Sequence, residues 1–260
     1  MRLPESERWL KIEALSCASP KTNEELANLL DEHLTPIREK SLIVLPEYFI
    51  HGSELFEGKN IYNDPMVTTL INYAQTKSAH IVAGVIEQTV SGEKYVTGLF
   101  ISPDGLIERQ RKQTPTSFEK SAGIIPGKEG TKTFNFRGLG STLSIAMCIE
   151  SFRLDEELRS LNSEILVNPR GFDLDDPAFG TFSHSWLTHN QDLARMGKRF
   201  VTGATGYTGK PGSLAEIIDF EGKILDSSIM PDRGVSAFAD LDLLKKYREG
   251  RYTSRIVPRF

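Results

Sequence analysis

The sequence predicts a single mixed α/β domain. Three observations predict it. Apolar runs of strand length recur along the whole chain, several of them β-branched and flanked by Gly, Pro or Asp. Segments with helical spacing and recognisable N-terminal caps lie between some of these runs. The 260 residues, 39% hydrophobic and 25% charged, suffice for one well-filled core. No low-complexity stretch or linker divides them, so residues 1–260 are expected to form one domain.

The first strand is expected at Leu10–Leu15. Thr22-Asn23-Glu24-Glu25 then has capping-box spacing, and Leu26, Leu29, Leu30 and Leu34 supply a helical stripe. Leu42–Leu45 is the second strand. Asp64-Pro65 reads as an N-cap with proline at the first helical position, leading into Met66, Leu70, Ile71 and Tyr73. Strands follow at Ile81–Ile86, Tyr95–Ile101 and Leu143–Met147. A short helix over Asp155–Leu161 and a strand at Ile165–Val167 come next. Trp186, Leu187, Leu193 and Met196 mark a further helix ending near Gly197. Phe200–Thr202, Leu214–Phe220 and Val235–Ala239 complete the strands. Pro103-Asp104-Gly105 and Glu221-Gly222 carry turn chemistry for hairpins or adjacent strands. The order is β-α-β-α-β-β, then β-α-β-α-β-β-β.

A net charge of -4, without a polybasic arm, argues against a nucleic-acid partner. Met1–Lys11 has no apolar core of a secretory signal, and no run approaches the roughly 18 apolar residues of a membrane span. The expectation is a cytoplasmic protein with no membrane partner. Cys17 and Cys148 lie far apart and read as free thiols of a reducing compartment, where a cysteine in a chemically loaded setting is a candidate nucleophile. His184 and His189 are five apart, not the four that share a helix face, and no cysteine cluster accompanies them, so no metal is expected. Gly203, Gly206, Gly209 and Gly212 lack the Gly-Lys-Ser/Thr ending of a phosphate loop and read as a flexible loop near the site. No cofactor is expected.

Three places carry candidate chemistry. Pro46-Glu47 directly follows an apolar run, where partial desolvation raises a carboxylate toward acid/base work. Alone, Glu47 reads more readily as a solvated carboxylate capping a strand. Arg111-Lys112 offers a cation; a lysine is more often a surface charge, but a buried one near a thiol lowers the thiol pKa and stabilises an oxyanion. Cys148 ends the run Leu143–Met147, just before Glu150. Buried cysteines are usually inert, so the weight lies in the ordered trio, which strand ends can bring to one sheet edge.

Here the sequence resembles the nitrilase superfamily, the carbon–nitrogen hydrolases with a Glu-Lys-Cys triad. Ile43–Ile50 resembles the family's strand ending in Pro-Glu, Arg111-Lys112 its Arg-Lys step, and Ile145-Ala146-Met147-Cys148-Ile149-Glu150 its nucleophile segment. Lys11–Leu34, Ile81–Glu87, Val96–Gly105 and Pro126-Gly127 follow the family's order, with Thr97 replacing the usual asparagine. Trp186, Gly212-Ser213 and Asp219–Lys223 fit its closing strands. The resemblance implies a four-layer α-β-β-α sandwich, which periodicity cannot tell from a doubly wound sheet. It makes Glu47 the proton carrier, Lys112 the oxyanion stabiliser and Cys148 the nucleophile, with the Ile149 N–H as second oxyanion donor and Glu119 positioning the substrate.

The branch reads two ways. Lys112-x-x-Pro115-Thr116-x-x-Glu119 and Gly84-Val85-Ile86-Glu87 resemble true nitrilases, yet Ile149 stands where those carry Trp, and the chain is shorter. Amidase branches carry an aromatic, Asp and then Arg, whereas here Arg153 comes one place late. The expected activity is hydrolysis of a small linear amide to acid and ammonia through a Cys148 thioester. The alternatives are a nitrilase or an N-carbamoyl amide hydrolase, and from other classes an acyltransferase or a catalytically silent binding protein. Tyr48, His51, Phe172 and Tyr207 are the candidate pocket residues. The resemblance also implies a homodimer or larger homo-oligomer, and Tyr247–Phe260, rich in Arg and aromatics, suits a packed tail at a subunit contact.

Overall fold

The computed structural model describes residues 7–35, 40–52, 58–136, 139–171, 179–206, 214–230 and 232–251, with backbone only at 179–183. Its first half contains β1 (Trp9–Ser16), α1 (Asn23–His33), β2 (Ser41–Val44), α2 (Pro65–Lys77), β3 (His80–Gln88), β4 (Lys94–Ile101), β5 (Ile107–Arg111) and α3 (Ser117–Ser121). The second half contains β6 (Thr133–Phe136), β7 (Ser141–Ile145), α4 (Glu150–Arg153), α5 (Asp155–Ser160), β8 (Ile165–Gly171), α6 (Phe179–Gly197), β9 (Phe200–Gly206), β10 (Ala215–Ile218), β11 (Ile224–Ser228), β12 (Arg233–Asp240) and α7 (Leu241–Arg248).

The strands form two six-stranded sheets, ordered β12-β1-β2-β3-β4-β5 and β11-β10-β9-β8-β7-β6. In each, three consecutive strands run parallel, β1-β2-β3 in one and β7-β8-β9 in the other. The flanking strands join antiparallel. Each sheet therefore repeats the other's topology.

Alternating side chains feed two apolar layers per sheet. Leu10, Ile12 and Val44 of the first sheet meet Ile145, Val167 and Phe200 of the second between the sheets. On the outer face of the first sheet, Ile43 and Ile81 lie under Leu26 and Leu30 of α1 and Leu70 of α2. On the outer face of the second, Leu166 and Val201 lie under Leu158 of α5 and Leu193 of α6. The result is the α-β-β-α sandwich, not a single doubly wound sheet. Strands covered on both faces read as continuous apolar runs, which is why they were visible in sequence.

The caps form largely as spelled. Thr22 Oγ1 accepts from the Glu25 N–H at 3.1 Å, although the Glu25 carboxylate reaches back to Lys21 rather than Thr22. Asp64 Oδ1 accepts from the N–H groups of Met66 and Val67 at 2.8 and 3.2 Å. Pro103-Asp104-Gly105 turns β4 into β5, and Glu221-Gly222 turns β10 into β11, each with its glycine at positive φ.

Several expectations are corrected. β5, β6 and β11 have no apolar run, because their alternate side chains are partly or fully exposed. The strand β7 ends at Ile145, short of Met147, yet the Ala146 and Cys148 N–H groups still donate to the Val167 and Pro169 carbonyls at 2.9 and 2.8 Å, so the chain runs beside β8 as far as Cys148. Gly203 and Gly206 belong to β9 and not to a loop. A Cβ at Gly203 would stand 2.7 Å from both the Arg170 guanidinium and the Glu216 carboxylate. Gly209 and Gly212-Ser213 lie outside the described residues. Trp186 belongs to α6, as its helical spacing with Leu187 and Leu193 predicts, and not to a closing strand. Of the C-terminal stretch, Arg248 donates to the carbonyls of Ser163 and Lys198 at 2.7 and 2.8 Å, and residues 252–260, where most of the expected subunit contact falls, lie outside the described residues. Among the described residues no helix is long and apolar enough to cross a membrane.

Candidate active site

The segment after β2 folds back over β3. Gly84 N–H donates to the Pro46 carbonyl at 2.9 Å and Ile50 N–H to the Gly84 carbonyl at 3.1 Å. This approach needs glycine at 84, since a Cβ there would lie 1.6 Å from the Glu47 carbonyl oxygen. Glu47 is thereby held fully buried between the sheets' ends. Its Oε2 accepts from the Gly171 N–H at 3.0 Å, at the end of β8 in the opposite sheet.

Lys112 follows β5, with its backbone fixed by bonds to Val96 and Gly127. Its Nζ lies 2.7 Å from Glu47 Oε1 and 2.8 Å from Glu119 Oε1. Glu119 sits on α3, whose start is a capping box: Thr116 Oγ1 accepts from the Glu119 N–H at 3.2 Å, and Glu119 Oε2 accepts from the Thr116 N–H at 2.5 Å. One glutamate therefore caps a helix and anchors the lysine. The Tyr48 hydroxyl also donates to Glu119 Oε1.

Cys148 stands at the turn from β7 into α4 with φ 50°, in the left-handed region that costs strain for a non-glycine residue. Its N–H donates to the Pro169 carbonyl at 2.8 Å, and its Sγ lies 3.9 Å from the Gly171 carbonyl. Ile149 occupies the N-cap of α4. Cys148 is 7% exposed as a residue, against at most 1% for Glu47, Lys112 and Glu119. Trp186 and Leu214 pack against it.

Burial pushes the Glu47 carboxyl up to about 7 against the opposing pull of Lys112. Burial and then the Glu47 charge push the Cys148 thiol up to about 12, with Lys112 offsetting only part. The expectation that the lysine leaves a low-pKa thiol is thus corrected, because desolvation and the carboxylate outweigh it. Burial alone would lower Lys112, but Glu47, Cys148 and Glu119 overcome it and keep the ammonium charged. Burial raises Glu119, yet Lys112 and its hydrogen bonds win and hold it below its usual range. The resting site is a neutral thiol beside a charged lysine, an ionised Glu119 and a Glu47 poised near neutrality.

The structure brings Glu47, Lys112, Cys148, Glu119, Tyr48 and Ile149 together. It draws His51 elsewhere: its Nε2 lies 2.6 Å from Asp64 Oδ2 at the start of α2. Phe172 and Tyr207 lie outside the described residues. Sequence reasoning passed over Glu150, which is 1% exposed. Its Oε1 accepts from the N–H groups of Gln113 and Thr114, and its Oε2 from that of Met147 at 2.9 Å. It ties the loop after Lys112 to the turn that presents Cys148. The available signal was an acidic residue two places past a cysteine at a strand end.

A model of the carbon-nitrogen hydrolase family matches residues 16–244. Comparison with curated proteins yields no match. Among solved structures, a CN-hydrolase superfamily protein from Xanthomonas campestris superposes with TM-score 0.77 at 17% identity, covering 93% of this chain and 94% of that one. Nit3 of Saccharomyces cerevisiae, a member of branch 10 of the nitrilase superfamily, gives 0.74 at 17% identity over 97% of both chains. A mutant of the Nesterenkonia AN1 amidase gives 0.69 at 15% identity over 93% of this chain and 95% of that one. At these identities the likeness is one of fold.

Proposed function

The chain belongs to the carbon–nitrogen hydrolase family, and from that premise we propose that it hydrolyses a small linear amide to acid and ammonia through a thioester on Cys148. The observation that carries the reading is the Lys112 ammonium held at 2.7 Å from a Glu47 poised near neutrality, beside the Cys148 thiol. The Glu47 carboxylate takes the Cys148 proton as the sulfur attacks the amide carbon. The thiol stays protonated until that moment, which suits a base at its side better than a standing thiolate.

The charge on the carbonyl oxygen is met by the Lys112 ammonium and the Ile149 N–H; one such donor contributes about 3–4 kcal/mol. Glu47 passes its proton to the nitrogen, the carbon–nitrogen bond breaks and ammonia leaves. Glu47 then deprotonates water, which attacks the thioester; the Cys148 sulfur leaves, regains its proton from Glu47, and the acid departs. Glu119 and Tyr48 keep Lys112 aimed. The Nesterenkonia amidase, whose structures include a butyramide complex and an acetamide adduct at the active-site cysteine, supports the amide class by analogy.

The test is ammonia release from a panel of amides, N-carbamoyl compounds and nitriles, with Cys148→Ala alongside. Release from amides, absent in the variant, is expected; release from nitriles alone would replace the amidase reading with a nitrilase. Because Glu47 must be ionised to act, kcat/KM should rise with pH through about 7. A profile flat from pH 5.5 to 8.5 would remove Glu47 from the role of base.

A further inference from the structure

Three residues at the end of β8 touch both partners of the proposed proton transfer. The Pro169 carbonyl accepts from the Cys148 N–H at 2.8 Å, and the Gly171 carbonyl lies 3.9 Å from the sulfur. The Arg170 carbonyl accepts from the Glu47 N–H at 3.2 Å, and the Gly171 N–H donates to Glu47 Oε2 at 3.0 Å. This short run sets where base and nucleophile stand relative to each other. No room is left above it, since a Cβ on Gly171 would sit 2.3 Å from the Tyr48 ring.

The run is anchored by one side chain. Arg170 is fully buried. Its Nη1 donates to Glu216 Oε1 at 2.7 Å and its Nη2 to Glu216 Oε2 at 2.5 Å, a bidentate pair. Nη2 also donates to the Leu214 carbonyl at 3.0 Å, and Nε to Thr205 Oγ1 at 3.2 Å. Asn190 of α6 donates to Glu216 Oε1 at 2.7 Å. The guanidinium carbon lies 5.5 Å from the centre of the Trp186 ring, which packs on Cys148. A buried ion pair is a poor way to gain stability, because desolvation consumes much of the attraction. Its expense is better matched to fixing one geometry.

We propose that the Arg170–Glu216–Asn190 cluster is a positioning device for the reaction, locking the end of β8 so that the Gly171 N–H stays on Glu47 and the Pro169 and Gly171 carbonyls stay on Cys148. These residues act through the backbone of 169–171 and do not touch substrate. The proposal rests on the Cys148–Glu47 reading given above. The charged and titratable groups facing Glu47 are Lys112 after β5, Glu119 on α3, Cys148 after β7 and Tyr48 next in its own segment. Loosening the run removes an N–H donor from the carboxylate while leaving those four in place, so Glu47 should hold its proton to higher pH.

The test is the pH dependence of iodoacetamide alkylation at Cys148, read by mass spectrometry, together with kcat/KM on the best panel amide. The double variant Arg170→Met/Glu216→Leu replaces the pair with apolar side chains of similar length and should remain folded. Its acid limb is expected about one pH unit above the wild-type limb, a roughly fivefold slower alkylation at the wild-type midpoint. Arg170→Lys keeps the charge opposite Glu216 but cannot also hold Leu214 and Thr205, and should shift the limb the same way by less. Should the double variant fail to fold, Arg170→Lys decides. Arg199→Met, a buried arginine bonded to the Leu161 carbonyl at 2.8 Å away from the site, should lower the melting temperature and leave the limb in place. Folded Arg170 variants with unshifted limbs overturn the proposal. A wild-type protein with no limb near 7 overturns the Glu47 reading instead, which keeps the two failures apart.

Discussion

In the first sheet Ala14 of β1 pairs with Val44 of β2; in the second Ile145 of β7 pairs with Val167 of β8. Three residues beyond these registered positions stand Cys17 and Cys148, and likewise Glu47 and Arg170. Two cysteines thus end equivalent strands of sheets with one topology. Cys17 is fully buried beneath α1 and α2, and burial, then Asp232, hold its thiol well above its ordinary range. Cys148 is nearly as deep, but the opposite sheet supplies it with a carboxylate and an ammonium. A strand-end thiol becomes a candidate nucleophile through groups that cross from the other sheet; among the described residues the one charge that shifts the first sheet's cysteine is Asp232, just before β12 of its own sheet.

Removing each thiol in turn separates the two cysteines. Cys148→Ala should lower amide turnover at least about 10³-fold. Cys17→Ala should leave turnover unchanged and cost about 1 kcal/mol of stability through lost packing. Ammonia release and thermal melting read both. A matching loss of turnover in the two variants would mean that register, and not the crossing groups, confers the chemistry.

A second contrast lies one strand further along. Gly84 of β3 and Ala204 of β9 are equivalent, each two residues past the partner of Val44 or Val167 in its sheet. Only Gly84 has the Glu47 backbone lying on it. Gly84→Ala must displace that segment, and a displacement near 1 Å costs roughly 10²-fold in rate. Ala204→Gly, with no such neighbour, should cost about 1 kcal/mol of stability and no activity. Steady-state kinetics with urea unfolding would separate the two, and equal rates in Gly84→Ala and wild type would show that the segment after β2 tolerates the shift.

Within each sheet the strands differ in how much of them was legible in sequence. Parallel strands such as Leu42–Leu45 and Ile165–Val167 announce themselves because both faces are covered. The edge strand Ile107–Arg111 hides, because Arg109 and Arg111 lean outward to share the buried Glu87 at 2.7 Å each. That Glu47, Lys112 and Cys148 come together was legible through short motifs in a fixed order, but their charge state was not. That depends on desolvation, which no local window reports. Thr116-x-x-Glu119 is a capping box in plain sight, read only as part of a family motif. Glu150 was invisible as a site residue because its three partners are backbone N–H groups at positions 113, 114 and 147.

Glu150 joins the first sheet's lysine loop to the second sheet's Cys148 turn, so it tests whether the halves must be clamped. Glu150→Gln keeps one carbonyl oxygen but turns an NH₂ toward an N–H donor. Loss of a hydrogen bond to a charged group is worth about 1.5–3 kcal/mol, which is roughly 10–100-fold if it falls on the transition state. The expected loss is in kcat with KM little changed. A variant that lowers the melting temperature but keeps kcat would make Glu150 a structural tie only.

The smallest expected effect concerns His80, whose register position at the start of β3 is matched by Phe200 at the start of β9. His80 stacks on Phe100 at 5.6 Å and meets Phe136 edge-on at 4.7 Å, as an aromatic residue would. Burial lowers its pKa from 6.5 to about 4, with Ser41 and Asp104 opposing weakly. The unfolded chain therefore takes up a proton below about 6.5 that the folded chain refuses until about 4. Stability is intact above that window and falls through it by up to about 3 kcal/mol. His80→Phe installs the second sheet's solution and should remove this share of the acid sensitivity, so that its stability relative to wild type improves between pH 7 and 4.5 in paired urea titrations. A gap between the two proteins that is the same at both pH values would mean that His80 is protonated alike in the folded and unfolded chain, and that the ring serves only as packing.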